Sequence, residues 1–355
     1  MSTPTSDDGI DPAIKAALDG LPDDFRDFGR VFQTEIQPAL RDREHQRVSA
    51  ADTARKSTWA AVAIGVIGAI VGFGVFKAPP VGVIAIVVAI GTAALGRAPL
   101  SRIGKEAKGL IVQPIAARLD LMFDPSPGRQ SGLQDFRAVR LVSSWDRANF
   151  EDRLVGTRNG VDFDFFEAHL EDKRTTRDSN GNTRTRWVTV FRGQCIRFKF
   201  HKRFYGKTLI TRDAGLFNRF GGGKGMQRAS LEDPTFEKAF EVYTTDQVEA
   251  RFLLTPDLMQ SLNDLETAFH GADLKCAFAG GEMLVTVEGG DLFEPGSMFT
   301  PLDDPKRVRD LLDDFSAVFN VIDSVMKGRR AEEDQRPEPP PTDDGDSPWT
   351  EFLER

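Results

Sequence analysis

The chain has 355 residues, a formal net charge of −8, an apolar fraction of 40% and two cysteines. Cys195 and Cys276 stand far apart with no CxxC or Cys/His spacing, which argues for reduced thiols rather than a disulfide framework. Nine acidic and two basic residues fall between Ala331 and Arg355, so the tail carries the imbalance and the remainder is close to neutral.

Residues 1–57 read as an amphipathic helical segment. Its start, with Asp7, Asp8, Asp11, Asp23 and Asp24, lacks the basic opening and apolar centre of a secretory signal. Phe25, Phe28, Val31, Phe32 and Ile36 recur at spacings of three and four. That stripe predicts a helix packed on the folded domain, ended or bent near Pro38.

Two uncharged runs follow, Thr58 to Phe76 and Val81 to Leu95, joined by Lys77-Ala-Pro-Pro80. A bilayer core needs about 20 apolar helical residues, and the turn is too short to hold a domain. Residues 58–97 therefore read as a transmembrane hairpin, with spans at 58–76 and 79–97 and the lipid bilayer as partner. Arg41, Arg43, Arg47, Arg55 and Lys56 precede the first run, Arg97, Arg102, Lys105 and Lys108 follow the second, and the turn holds Lys77 alone. This distribution predicts cytoplasmic flanks and an outward turn. Neither apolar run, Thr58 to Phe76 or Val81 to Leu95, contains an ionisable residue, so the hairpin reads as an anchor rather than an ion path. Gly68 and Gly72 permit close approach of a helix, either the second span or another copy of the chain. A homo-oligomer through these glycines or the N-terminal helix is one expectation.

Residues 98–130 read as a juxtamembrane helix from Leu100 to Leu121, interrupted at Pro114, and a Pro/Gly linker. Residues 131–327 read as a cytosolic α+β domain, a largely antiparallel sheet with covering helices. A short helix is expected from Leu133 to Trp145. Arg158-Asn-Gly-Val161 predicts a two-residue hairpin turn between strands at 152–157 and 161–170. Ser179-Asn-Gly-Asn182 marks a second reversal, and Ile196, Phe198 and Phe200 alternate with basic residues on a half-buried strand. Further strands are expected at 207–211, 240–243 and 249–254, a helix from Thr255 to Phe269, a hairpin over 274–287 turning at Gly280-Gly281, and a last helix from Asp304 to Met326. Residues 328–355 read as a disordered acidic tail.

Motifs for chemistry are sparse. Phe220-Gly-Gly-Gly-Lys-Gly225 lacks phosphate-loop spacing, His45, His169, His201 and His270 stand alone, and no G-x-S-x-G is present. No catalytic residue, metal or cofactor is assigned. Glu232, Asp233, Glu237, Asp246, Glu249 and Arg251 form a carboxylate-rich cluster that suits acid–base work in a cleft. The alternative is structural: Asp233 caps a helix begun at Pro234, and Glu249 pairs with Arg251 along a strand. Arg197, Lys199, Lys202, Arg203 and Lys207 form a basic stripe that could contact anionic lipid, with Phe204 and Tyr205 inserting, or simply face solvent. Nothing accompanies this charge to suggest nucleic-acid binding. Trp349, Phe352 and Leu353 have the spacing of a helical motif for docking to a protein partner.

The run Leu231-Glu-Asp-Pro-Thr-Phe-Glu-Lys-Ala-Phe-Glu-Val-Tyr-Thr-Thr-Asp-Gln-Val-Glu-Ala-Arg-Phe-Leu-Leu-Thr-Pro256 resembles an uncharacterised bacterial membrane family, known as a domain of unknown function with two N-terminal spans. Glu151-Asp-Arg-Leu-Val-Gly156, Phe191-Arg-Gly193, Phe204-Tyr-Gly-Lys-Thr208 and Asp291-Leu-Phe-Glu-Pro295 extend the likeness. It implies an integral membrane protein of bacteria and supplies no activity; the expected location is the inner membrane, with both termini cytoplasmic. The expectation is a membrane-anchored cytosolic interaction or scaffold module. The alternatives are a tethered enzyme acting on lipid or envelope precursors through residues 233–249, and a sensor of anionic lipid surfaces.

Overall fold

The computed structural model describes residues 10–19, 21–25, 28–75, 77–129, 132–177, 183–212, 225–231, 233–268 and 273–326. Glu232, the Ser179–Asn182 reversal, residues 220–224 of the glycine run and the Trp349, Phe352, Leu353 motif lie outside them.

After a short α1 (Pro12–Ala17), two long antiparallel helices dominate: α2 (Phe28–Val75) and α3 (Pro79–Arg118). At about 1.5 Å per residue they extend roughly 70 Å and 60 Å. Both are long and apolar enough to cross a membrane. The hairpin's outer surface is a band of exposed apolar side chains, including Trp59, Val66, Ile67, Ile70, Val83, Ile84, Val87, Ile90 and Leu95. Its inner seam is built from small residues. A Cβ placed on Gly68 would sit 2.1 Å from the Cβ of Ala85, and one on Gly72 would sit 2.3 Å from the Gly82 amide nitrogen. The glycine face is thus taken by the second apolar helix of the same chain.

Three prolines that suggest breaks do not end the helices. Pro38 follows a wide π-turn, Phe32–Ile36, in which Gln37 N–H donates to Phe32 O. Such a turn absorbs a register disturbed by a missing donor. Pro99 and Pro114 lie inside α3. Around Pro114 the residues Ile111, Val112, Ile115 and Ala116 are buried. That burial outweighs the roughly 3 kcal/mol a helical proline costs. The predicted interruption at Pro114 is therefore absent, and the second apolar run and the juxtamembrane segment are one helix.

Among the described residues, nine antiparallel strands form one sheet: β1 (Met122–Asp124), β2 (Arg147–Arg158), β3 (Val161–Arg177), β4 (Thr183–Lys199), β5 (Thr208–Arg212), β6 (Gln227–Ala229), β7 (Phe240–Thr244), β8 (Leu274–Ala279) and β9 (Glu282–Glu288). Their spatial order is β1-β2-β3-β4-β9-β8-β5-β7-β6. The β2–β3 turn is the predicted Asn159-Gly160 pair, with φ of 51° and 75°. Gly280 and Gly281 (φ 62° and 80°) close the β8–β9 hairpin.

Helices α4 (Leu133–Ala138), α5 (Pro234–Ala239), α6 (Gln247–Leu253), α7 (Pro256–Ala268) and α8 (Pro305–Val325) complete the fold. Two sequence expectations need correction. The helix expected to reach Trp145 ends at Ala138, and residues 249–253 lie in α6, with Leu254 as its C-cap, rather than in a strand. The Asp246 carboxylate accepts from Val248 N and Glu249 N, and this cap commits the segment to a helix.

One sheet face carries the larger core. Phe163, Phe165, Ile196, Phe198 and Val285 pack there with Leu262 of α7 and Phe315 of α8. The same core takes Leu40, Ala50 and Ala54 from α2 and Ile103, Ala107, Ile111 and Ile115 from α3. The N-terminal stripe joins it as expected, with Phe25 stacked on Phe319 at 6.4 Å. The opposite face is covered by Leu133, Phe136, Leu141 and Val142 from α4 and the chain after it. The two apolar helices are therefore continuous with the domain's main core.

Candidate functional site

Charge is buried where α3 crosses the sheet. The β2–β3 register shifts between Glu151 and Leu154. Within this bulge Asp152 takes a φ of 53°, a left-handed conformation that aspartate tolerates. Its side chain is fully buried, and Lys108 of α3 donates to it at 2.5 Å and to Glu294 at 2.8 Å. Lys108 sits four residues after Gly104 and four before buried Val112, on the helix's core-facing stripe.

Glu167 enters from β3, on the same face as Phe163 and Phe165. Its Oε1 accepts from Leu292 N at 2.6 Å, and its cross-strand neighbour Gln194 donates to Gly290 O at 2.6 Å. From α8, Asp314 accepts from Phe293 N at 2.8 Å. Glu167, Asp314 and Lys108 thus hold the strap 290–294 from three elements. Phe293, with φ of 55°, is fully buried among Phe123, Phe165 and Phe315.

Burial dominates the titration of these acids. It pushes Glu167 up to about 8 against the opposing pull of the Leu292 amide. Asp152 is pushed up to about 7 even with Lys108 beside it, and Asp314 up to about 6. Asp152 Oδ1 and Glu167 Oε2 have no hydrogen-bond partner among the described residues. Burial thus favours the protonated form of each acid, most strongly Glu167, while the Lys108 ammonium draws Asp152 toward its charged form.

Glu167 also lines a small cleft with Asn149, Glu151, Ala168, His169, Arg192 and Asp291. Arg192 bridges to Asp291 at 2.5 Å, and His169 Nε2 lies 2.9 Å from Thr189 Oγ1. Glu151, Asp152 and Glu294 place oxygens within 4.8 Å of one another, as a cation site would. The Lys108 ammonium supplies positive charge between two of them, so the arrangement reads as an ion-pair network. Burial also pushes both thiols, Cys195 and Cys276, upward, and both are free.

The carboxylates singled out from sequence do other work. Asp233 caps α5 through Thr235 N and Phe236 N, as its structural alternative held. Glu237 accepts from Leu231 N, and Asp246 caps α6. Glu249 clasps the turn at Tyr205 N and Gly206 N, both at 2.7 Å, while Arg251 is exposed on α6. The expected Glu249–Arg251 strand pair gives way to this helix.

The basic residues are also divided. Arg197 binds Asp135 and Gly132 O, fastening α4 to the sheet. Lys202 donates to Phe252 O and lies 4.8 Å over the Phe252 ring. Lys199, Arg203 and Lys207 are exposed. Tyr205 is 93% exposed, but Phe204 is buried against Phe200 and Phe278 and is not available for insertion into a membrane.

Residues 189–327 match a family described as a protein of unknown function, DUF3137. The uncharacterised family suspected from the sequence is borne out over that stretch. It runs from within β4 past α8 and includes Gln194, Glu294 and Asp314, whereas Lys108, Asp152 and Glu167 precede it. No curated protein matches the chain. Among solved structures, the mycobacterial trehalose monomycolate transport factor A, TtfA, is similar at 10% identity. The alignment covers 59% of this chain and 96% of that one with a TM-score of 0.32, too low to carry a functional argument.

Proposed function

We propose that the protein is a membrane-anchored interaction module, whose apolar hairpin holds the sheet domain in a fixed attitude against the cytoplasmic leaflet. One observation carries this reading: α2 and α3 pass without a break from the exposed apolar band into the domain's core. A flexible tether would let the domain tumble. Here Ile103, Ala107 and Ile111, a few turns beyond the apolar run, are core residues of the sheet, so span and domain move together. Asp233, Glu237, Asp246 and Glu249 are committed to backbone amides, which favours the module over a tethered enzyme working through them.

Fractionation and labelling test the reading. The full chain should stay with membranes through alkaline carbonate extraction. A cysteine at Lys77 should react with an impermeant maleimide from outside, and one at Gly345 only after permeabilisation. Both native cysteines are fully buried and give little background. Release by carbonate, or the reverse labelling, would overturn the proposal. Identical partners for the full chain and for one ending at Arg330 would remove the tail motif from it.

A further inference from the structure

Past Glu171 on β3 and before Thr189 on β4, the two strands run on beyond the rest of the sheet. The pairing of β2 ends at Arg147 opposite Glu171, and that of β9 ends at Glu288 opposite Gly193. Residues 172–177 and 183–188 pair only with each other among the described residues. Among the described residues this ribbon carries Lys173, Arg174, Arg177, Arg184 and Arg186 and one carboxylate, Asp172, which lies 3.6 Å from Arg174. Arg174 stands directly across from Arg186, and Arg184 lies on the same face. Like charges directly opposed destabilise a strand pair, and a two-stranded ribbon is marginal in water to begin with. An arm that keeps such a pair fits an anionic partner better than it fits a structural role.

The direction of the arm identifies that partner. Gly156 of β2 lies against Leu121, just past the end of α3, whereas Asp152 meets Lys108, thirteen residues back toward the apolar run. Followed from Val161 to Arg177, β3 therefore heads toward the membrane end of the molecule. Lys108 is eleven residues from Arg97 at the edge of the apolar run, about 16 Å along the helix. Arg177 is ten residues beyond Glu167, about 34 Å along a strand, so even a strand inclined by about 60° covers the gap.

We propose that this basic ribbon rests on the anionic headgroups of the leaflet in which the hairpin is anchored, a proposal that depends on the membrane-anchored reading above. The surface is distinct from the 197–207 stripe, where Arg197 is spent on α4. Trp187, 41% exposed at the ribbon's base beneath the Arg147 guanidinium, adds an amphipathic ring of the kind found at interfaces. Two-stranded ribbons also fit the DNA major groove. An arm aimed at the bilayer favours lipid.

A fluorophore on Thr185→Cys tests this in full-length protein in nanodiscs of phosphatidylcholine, with or without phosphatidylglycerol. Each cation near an anionic surface favours contact by roughly fivefold. The label should be protected from acrylamide quenching in the anionic discs alone. High salt, which shortens the screening length to about 3 Å at 1 M, should expose it again. The triple variant K173E/R184E/R186E should lower the protected fraction by about tenfold or more. Neutralising Lys199, Arg203 and Lys207 should change nothing. Equal quenching in both discs overturns the ribbon proposal while leaving the anchor intact, and failure to enter discs at all overturns the anchor reading. Protection conferred by added duplex DNA in neutral discs would make the ribbon a nucleic-acid surface and overturn the assignment to lipid.

Discussion

Lys108, on the helix continuous with the second apolar run, donates to Asp152 in the β2 bulge at 2.5 Å, and both side chains are buried. The bulge aims Asp152 at α3, and Glu294 holds the second side of the same ammonium at 2.8 Å. A tilt of α3 relative to the sheet would separate these charges inside the core.

Replacing Lys108 with Met should cost about 3 kcal/mol, because it leaves buried acid without its cation. Asp152→Asn keeps the left-handed residue preference while removing the charge. The double variant should therefore be less destabilised than the sum of the two single changes. Thermal melting of the full chain in detergent gives this cycle. Simple additivity would show that the pair does not couple helix to sheet.

Stability should fall as pH rises. Unfolded, Asp152, Glu167 and Asp314 ionise near 3.8 to 4.5, whereas folded they are raised to about 7, 8 and 6. Between about pH 4 and pH 8 the native chain thus binds more protons than the unfolded one, which makes the slope of stability against pH negative. The contribution is complete below the unfolded values and is lost as pH passes the folded ones. The melting temperature at pH 9 should lie below that at pH 6, and Glu167→Gln should flatten the upper part of the curve. Glu44, held low chiefly by Arg47, acts in the opposite sense in a separate, more acidic window.

The carboxylates near 233–249 should behave as caps. Asp233→Ala and Asp246→Ala should each cost about 1 kcal/mol, and the Asn variants should recover most of it, since an Asn oxygen accepts the same amides. Denaturation midpoints decide the matter. Loss with Asn as large as with Ala would point to a need for charge rather than for an acceptor.

Local chemistry made much of this fold legible, and long-range burial hid the rest. Asn159-Gly160 and Gly280-Gly281 announce turns because both central positions need positive φ. Asp233-Pro234 and Asp304-Pro305 announce helix starts, each with a carboxylate cap and a proline in the first turn. The strand reading of 249–254 overlooked the Asp246…Glu249 spacing of a helix start. The buried cluster left two faint marks: Lys108 on a stripe of apolar positions, and Glu167 in line with Val161, Phe163 and Phe165. Neither reveals its partner, because the β2 bulge and the 290–294 strap join residues more than 40 positions apart. The continuity of the second apolar helix with the core was hidden by Pro114, whose local cost is overridden by packing.

The seam of the hairpin makes the last prediction. A Cβ on Gly65 would lie 3.5 Å from the Cβ of Ala89, within the span that a disulfide bridges. The pair G65C/A89C should therefore oxidise within one chain, giving a faster-migrating monomer on non-reducing gels. At Gly72 a side chain would meet the Gly82 backbone at 2.3 and 2.6 Å, and backbone cannot rotate out of the way as a flexible side chain can. Adding Gly72→Val should force the helices apart and sharply lower the intramolecular yield, while the same change at Gly91, where nothing lies within 4 Å, should not. A covalent dimer in place of the compact monomer would assign the small-residue face to a second copy of the chain instead.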